Sequence, residues 1–199
     1  MDAPGPGGGF VPCRGQCGGQ EDRARRRRTR VIRDIVRYGD PRLLARNEEV
    51  DPAGADVPAL IADLFDTCRA APGIGLAAPQ IAVNRRVAVI DLSVGADPGA
   101  RIAMVNPEIV ETSGEQKEEE GCLSIPDFAE KVVRPARVKA RFFDAYGQLR
   151  EIEGTGLMAR ALCHEIDHLN GVLYVDRLRG LKRELTWRKI VKTQARGVW

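Results

Sequence analysis

Thr155-Gly156-Leu157-Met158-Ala159-Arg160-Ala161-Leu162-Cys163-His164-Glu165-Ile166-Asp167-His168-Leu169-Asn170-Gly171 is the stretch on which both fold and chemistry turn. Leu157, Ala161, Leu162, Ile166 and Leu169 recur at helical spacing, and Asn170-Gly171 is a favourable C-terminal cap. The spacing therefore predicts a core-packed helix over 155–169. The chain holds 2 histidines, and both, His164 and His168, lie here. Positions i and i+4 share a helix face, so both imidazoles can reach one ion, while Glu165 lies beside that ion rather than on it. On a solvent-facing helix the same pattern would be a solvated polar face. The apolar flanks argue against that reading, because a buried charged group needs a purpose.

Working outward, Leu60, Ile61, Leu64, Phe65 and Cys68 predict a helix over 58–69, closed by Pro72-Gly73. Strands are predicted over 86–92 and 101–106. The stretch 131–152 reads as two more, K-V-V-R-P-A-R-V-K-A-R-F-F and Q-L-R-E-I, joined by Asp144-Ala145-Tyr146-Gly147. Val31, Ile32, Ile35 and Val36 lead into a turn at Tyr38-Gly39-Asp40-Pro41, and 181–193 reads as a last helix. No internal repeat is present. The fold class is α+β: mixed or antiparallel strands packed around a central helix that carries H-E-x-x-H, with a C-terminal helix, in one domain over 31–199.

With 199 residues, 43% hydrophobic and 30% charged, the chain has enough apolar material for a core, which excludes wholesale disorder. No apolar run reaches the roughly 18–20 residues of a membrane span, and no apolar segment follows a basic start as in a secretory signal. Its 5 cysteines, odd in number and sparse, argue against a disulfide framework and for a reducing, cytoplasmic setting. Residues 1–30 differ in texture: Gly- and Pro-rich, then a block of Arg23, Arg25, Arg26, Arg27, Arg28 and Arg30. Such a like-charged run is expected to stay disordered and solvated, with Cys13 and Cys17 as free thiols. Asp2, Glu21 and Asp22 weigh against a transit peptide. Translation from a GTG codon at Val31 would account for this tail, and native peptides covering 23–30 would refute that start.

Two histidines are too few for a catalytic zinc-type site, which wants three protein ligands and an open position. Two candidates for the third are Cys122, in the apolar turn Glu120-Gly121-Cys122-Leu123-Ser124-Ile125-Pro126, and Glu184 on the last helix. A further segment, Gly73-Ile74-Gly75-Leu76-Ala77-Ala78-Pro79-Gln80, places small residues where backbone approaches something closely. It lacks the Lys-Ser/Thr of a phosphate-binding loop, which argues against nucleotide binding.

Taken together, G-x-G-x-A-A-x-Q at 73–80, E-G-C-L-S at 120–124 and H-E-x-x-H at 164–168 resemble, in order, the three signatures of the peptide deformylase family. The opening Ile32-Arg33-Asp34-Ile35-Val36 and Tyr38-Gly39-Asp40-Pro41-Arg42-Leu43 also resemble that family, so the likeness spans 31–195. One departure is Cys163, where the family usually has Gln.

This resemblance implies a metal-dependent hydrolase that removes the N-formyl group from the formyl-methionine of nascent polypeptides and releases formate. It implies Cys122, His164 and His168 as ligands of one divalent ion, Fe²⁺ as the native metal, with Zn²⁺, Ni²⁺ or Co²⁺ able to substitute. Held by one thiolate and two neutral imidazoles, such an ion lowers the pKa of water from 15.7 toward about 7. Glu165 is then the proton carrier, and the Leu123 N–H and the Gln80 amide are oxyanion donors. Ile74, Gly121, Leu157, Ala161 and the face of His164 are expected to line an apolar methionine pocket. Gly75 is expected as a backbone contact to the peptide, where a Cβ would block close approach. Asp167, pointing away from His164, is expected to pair with Arg134.

Two rival readings follow from the same residues. One is a zinc endopeptidase using His164, His168 and Glu184. The other, of a different class, is a basic RNA- or ribosome-binding protein. Residues 177–199 carry 8 basic residues against the single acid Glu184, or +7, while 1–30 carry +4 and 31–176 carry −8, with 16 basic and 24 acidic residues. The net charge of +3 hides an acidic body with basic ends. Ribosome docking through the last helix would suit an enzyme that acts on nascent chains.

Overall fold

Apolar spacing in 58–69 is realised as α1, Val57–Ala70, whose buried face presents Val57, Ile61, Leu64 and Cys68. The computed structural model describes residues 29–197, so the disordered tail expected over 1–30 falls, but for its last two residues, outside the described residues, as do Cys13 and Cys17. Seven strands follow: β1 Gly75–Ala77, β2 Val87–Ile90, β3 Ile102–Ser113, β4 Gln116–Cys122, β5 Ile125–Arg134, β6 Arg137–Phe143 and β7 Leu149–Thr155. Then come α2, Gly156–Leu169, and α3, Gly180–Ala195. All strand pairings between these elements are antiparallel. They form one five-stranded sheet, β1-β2-β3-β6-β7, and one two-stranded sheet, β4-β5.

β2 shows why a short run of apolar residues marks the centre of this fold. All four of its residues are buried. Val87 and Val89 face α1, Leu76 and Val105, whereas Ala88 and Ile90 face α2 with Met104, Val138 and Ala140. A strand covered on both faces needs no polar alternation. On α2, Ala159, Leu162, Ile166 and Leu169 close the second of these clusters. Each buried Leu or Ile contributes about 1.5–3 kcal/mol relative to exposure. A third cluster joins Cys122, Ile125 and Val132 of the small sheet to Leu173, Tyr174, Leu178 and Ile190. It fixes the small sheet against the C-terminal region.

Several expected boundaries move, each for a physical reason. The strand expected to end at 106 continues to Ser113, because β3 carries on pairing with β6 through register shifts that absorb Pro107. The single strand expected over 131–143 is two, β5 and β6, since Pro135 lacks an N–H and interrupts the ladder. The segment 120–126, read as a turn between strands, is the tip of the β4–β5 hairpin, where Cys122 pairs with Ile125 and only Leu123-Ser124 form the turn. The polar run Gln116–Glu119 had concealed β4. At the end of α2 the cap is as expected: Gly171 has φ 73°, and a Cβ there would stand 2.4 Å from the Leu44 carbonyl oxygen.

Candidate active site

Sheet and helix order bring three chain segments around one cleft. The buried side of α2 delivers His164, Glu165 and His168; the hairpin tip of β4–β5 delivers Glu120, Gly121, Cys122 and Leu123; β1 and the 3-10 turn Ala78–Ile81 deliver Gly75 and Gln80. The extended N-terminal segment ties two of these together. The Val36 N–H donates to the Gln80 carbonyl and the Tyr38 N–H to the Ser124 carbonyl, both at 2.9 Å.

Cys122, His164 and His168 present ligand atoms that all lie within 4.8 Å of one another. His168 Nε2 lies 3.2 Å from Cys122 Sγ, and His164 Nδ1 lies 2.7 Å from Glu120 Oε1. That last bond holds the imidazole by one nitrogen and leaves the other for an ion. Burial pushes the Cys122 thiol up, but the charge of His168 and hydrogen bonds from His164 and His168 outweigh it and bring the group down to about 5. Burial likewise disfavours a charged His164, and its bonds to Cys122 and Glu120 outweigh it, so its proton affinity is raised. A thiolate between two imidazoles thus demands positive charge at this point, supplied by protons or by a metal ion in their place. One sulfur and two imidazole nitrogens are a donor set that would hold a divalent ion here.

Glu165 is 3% exposed, and its Oε2 has no hydrogen-bond partner among the described residues. Burial raises it to about 7, against the lowering effect of His164 and His168. A carboxyl at this value accepts and returns a proton near neutrality. Gln80 is oriented by its own loop. Its amide oxygen accepts from the Ala77 N–H at 2.9 Å, so its NH₂ points to Ser124 Oγ at 3.3 Å and Cys122 Sγ at 3.6 Å. The cleft itself encloses about 690 Å³.

This geometry has counterparts. Residues 32–184 match the polypeptide deformylase family. The chain belongs to that family. It is 47% identical over 169 residues to the peptide deformylase of Acidobacterium capsulatum, covering 85% of this chain and 99% of the relative. It superposes on a Legionella pneumophila peptide deformylase crystal structure with TM-score 0.77 at 43% identity, covering 84% of this chain and 98% of the other. The Ehrlichia chaffeensis peptide deformylase in complex with actinonin gives TM-score 0.73 at 34% identity, covering 82% and 98%.

In this deformylase chain Ile74, Gly75, Gly121, Leu123, Leu157 and Ala161 all border the cleft. Leu157 is 44% exposed there, which rules out plain core packing for it. Ala161 borders the cleft and also belongs to the α2 core cluster. Glu184, the rival third ligand, lies on exposed α3 paired with Arg188, so the zinc-endopeptidase set is not assembled. Asp167 pairs with Arg134 at 2.5 Å, as anticipated, and also with Arg177 at 3.0 Å.

What the sequence reading missed is Glu120. Its carboxylate receives Arg134 Nε at 3.0 Å and a terminal Arg134 nitrogen at 2.6 Å while holding His164. Burial alone would raise Glu120, and bonds from His164 and Arg134 instead bring it down to about 2. The only available signal was its place two residues before Cys122, which alternation puts on the same strand face. Arg37 and Arg160 also escaped notice. They border the cleft and donate to the Leu123 carbonyl at 2.5 Å and the Glu119 carbonyl at 2.8 Å. Cys163, in place of the usual Gln, sits in the apolar cluster between α2 and the sheet.

Proposed function

We propose that this chain hydrolyses the N-formyl group of formyl-methionyl nascent polypeptides, releasing formate and a free methionine amine, with one divalent ion held by Cys122, His164 and His168. The observation that carries the reading is the buried Glu165 carboxylate, whose Oε2 has no hydrogen-bond partner among the described residues, beside that ligand cluster at the floor of a peptide-sized cleft. When bound, the ion supplies Lewis acidity, acidifying water and polarising the formyl oxygen. Glu165 accepts the proton of the attacking water and delivers it to the departing amine nitrogen. The Gln80 amide and the Leu123 N–H donate to the formyl oxygen as it gains charge, each worth about 2.7–4 kcal/mol in comparable sites. Leu157, Ala161, Ile74, Gly121 and the His164 ring accept the methionine side chain, whose flexible thioether suits an apolar wall. The hairpin tip flanks the peptide backbone.

Fe²⁺ is the metal we assign, on the family likeness alone, since thiolate and imidazole ligands accept Zn²⁺, Ni²⁺ or Co²⁺ as well and do not choose among them. The setting is cytoplasmic, and no helix among the described residues is long and apolar enough to cross a membrane. The basic, largely exposed α3, with Leu181 and Trp187 on its surface, is proposed to dock on the ribosome. Deleting 180–199 is expected to abolish ribosome co-sedimentation, and unchanged pelleting would sink the docking. The decisive experiment on the reaction is formate release from a formyl-Met-Ala peptide, with metal analysis of the same sample. About one ion per chain and formate in step with free amine are expected. A fully loaded protein that releases no formate refutes the proposal.

A further inference from the structure

We infer that Gly75 is a positioning residue for Glu165: the side chain that Gly75 lacks is the slot in which the carboxylate lies. A Cβ built at Gly75 would stand 2.3 Å from Glu165 Oε1, 2.9 Å from its Cδ and 3.1 Å from its Cγ. The three nearest neighbours of that Cβ thus all belong to one side chain. The backbone gives no other reason for glycine here. Gly75 opens β1 in register with Ile90, and its φ is not in the left-handed region. Any residue could adopt this conformation, so what excludes a side chain is Glu165.

The same contact explains how an otherwise loosely tethered carboxylate stays in place. Glu165 is buried, and its Oε2 has no hydrogen-bond partner among the described residues. Packing must then do what hydrogen bonds do elsewhere. β1 is held against β2, and the Ile74 carbonyl accepts from the Asp91 N–H at 2.8 Å. Gly75 is therefore a fixed wall, and its bare Cα permits the carboxylate to sit flush against the strand. Adding one methyl group would push the carboxylate away from the wall, with the leftover volume taken from the cleft. The sequence reading assigned this glycine to the approach of the peptide. The direction of the missing Cβ assigns it instead to the base.

This inference rests on Glu165 being the proton carrier of the proposed reaction, and its test separates the two. Gly75→Ala is expected to lower kcat by about 100-fold, as a displacement near 1 Å does in other sites. KM for formyl-Met-Ala and the affinity for the unformylated Met-Ala product should stay within about threefold, because binding contacts are not the ones removed. Thermal unfolding supplies an arm that needs no turnover. Gly75→Ala should lower Tm by about 2–4 °C in the unaltered chain, through overpacking. In a Glu165→Ala background the same change should cost about 1 °C or less, since the clashing atoms are gone. Equal Tm losses in both backgrounds, or a loss of affinity for product with kcat retained, would overturn the inference. If Gly75→Ala alone fails to fold, the double variant decides: its folding supports the slot and its failure refutes it. An unaltered chain that releases no formate would refute the proposed function and leave the stability arm to judge the slot.

Discussion

Replacing Arg134 by Met tests the charge network behind the site most severely. The guanidinium is 3% exposed and bridges two carboxylates that are themselves 7% and 9% exposed, Glu120 and Asp167. Three hydrogen bonds of 2.5–3.0 Å disappear with it. Removing one partner of a buried pair costs about 3–5 kcal/mol, because the remaining charge is stranded in a poor solvent. Here each carboxylate keeps a second partner, His164 for Glu120 and the half-exposed Arg177 for Asp167. That places the loss near the lower end, about 3 kcal/mol. For a domain of this size the matching fall in Tm is about 6–12 °C. The pH dependence fixes the cause. Arg134 is one of the groups that hold Glu120 down to about 2, so without it the folded protein takes up a proton at Glu120 more readily than the unaltered chain does, and acid narrows the deficit. The deficit against the unaltered chain should therefore be larger at pH 8 than at pH 5. Asp167→Asn, which leaves the Glu120 arm intact, should show a smaller loss. Chemical denaturation of each variant at the two pH values provides the measurement. An Arg134→Met protein within about 2 °C of the original, or a deficit that grows on acidification, would refute the reasoning.

Further outcomes follow from the same geometry. Cys122→Ser should abolish stoichiometric metal binding and Glu184→Ala should leave it intact; metal analysis after gel filtration distinguishes this from the reverse pattern of a zinc endopeptidase. Glu165→Gln should lower kcat by about 10²–10⁴-fold while metal content stays unchanged, and retained turnover would remove Glu165 from the reaction. Gln80→Leu should cost about 10²–10³-fold in kcat with little change in KM, read from initial rates of formate release. Enzyme carrying Fe²⁺ should lose activity in air and be protected by Ni²⁺ or Co²⁺ replacement; equal lifetimes under aerobic and anaerobic storage would count against iron.

The parts of the site that were legible in sequence are those in which one residue type performs one chemistry at a local spacing. His164, Glu165 and His168 are held by a single helix, so i and i+4 are enough to place them. Cys122 was only one of two candidates on physical grounds, because its distance from α2 depends on a hairpin that the polar run Gln116–Glu119 concealed. Glu120 and Arg134 pair across that same hairpin, 14 residues apart in sequence. No periodicity inside either segment reveals such a partner. Arg37 was invisible for a similar reason: its contact with the Leu123 carbonyl spans 86 residues. The helices were placed almost to the residue, whereas the strands were not. A helix closes its hydrogen bonds within itself, and a strand ends where its neighbour allows.

α2 also explains why a thiol is admissible at position 163. Successive residues on a helix are about 100° apart, so Cys163 does not share the face of His164. Its neighbours are the apolar residues that pack on β2, β3 and β6, and the side chain is 4% exposed. A free cysteine behaves there as a small hydrophobe. Burial pushes its thiol up to about 11, well away from the thiolate form that Cys122 favours. His164 takes its orienting hydrogen bond from Glu120 on the facing strand, not from the residue before it. Arg134, Asp167, Glu120 and Arg177 act on the thiol electrostatically, so a longer amide at 163 would approach that charge network, whereas the thiol requires no hydrogen-bond partner. The metal-facing side of α2 is fixed through Glu120 and Arg134, whereas Cys163 on its sheet-facing side fills packing volume within electrostatic reach of that same network.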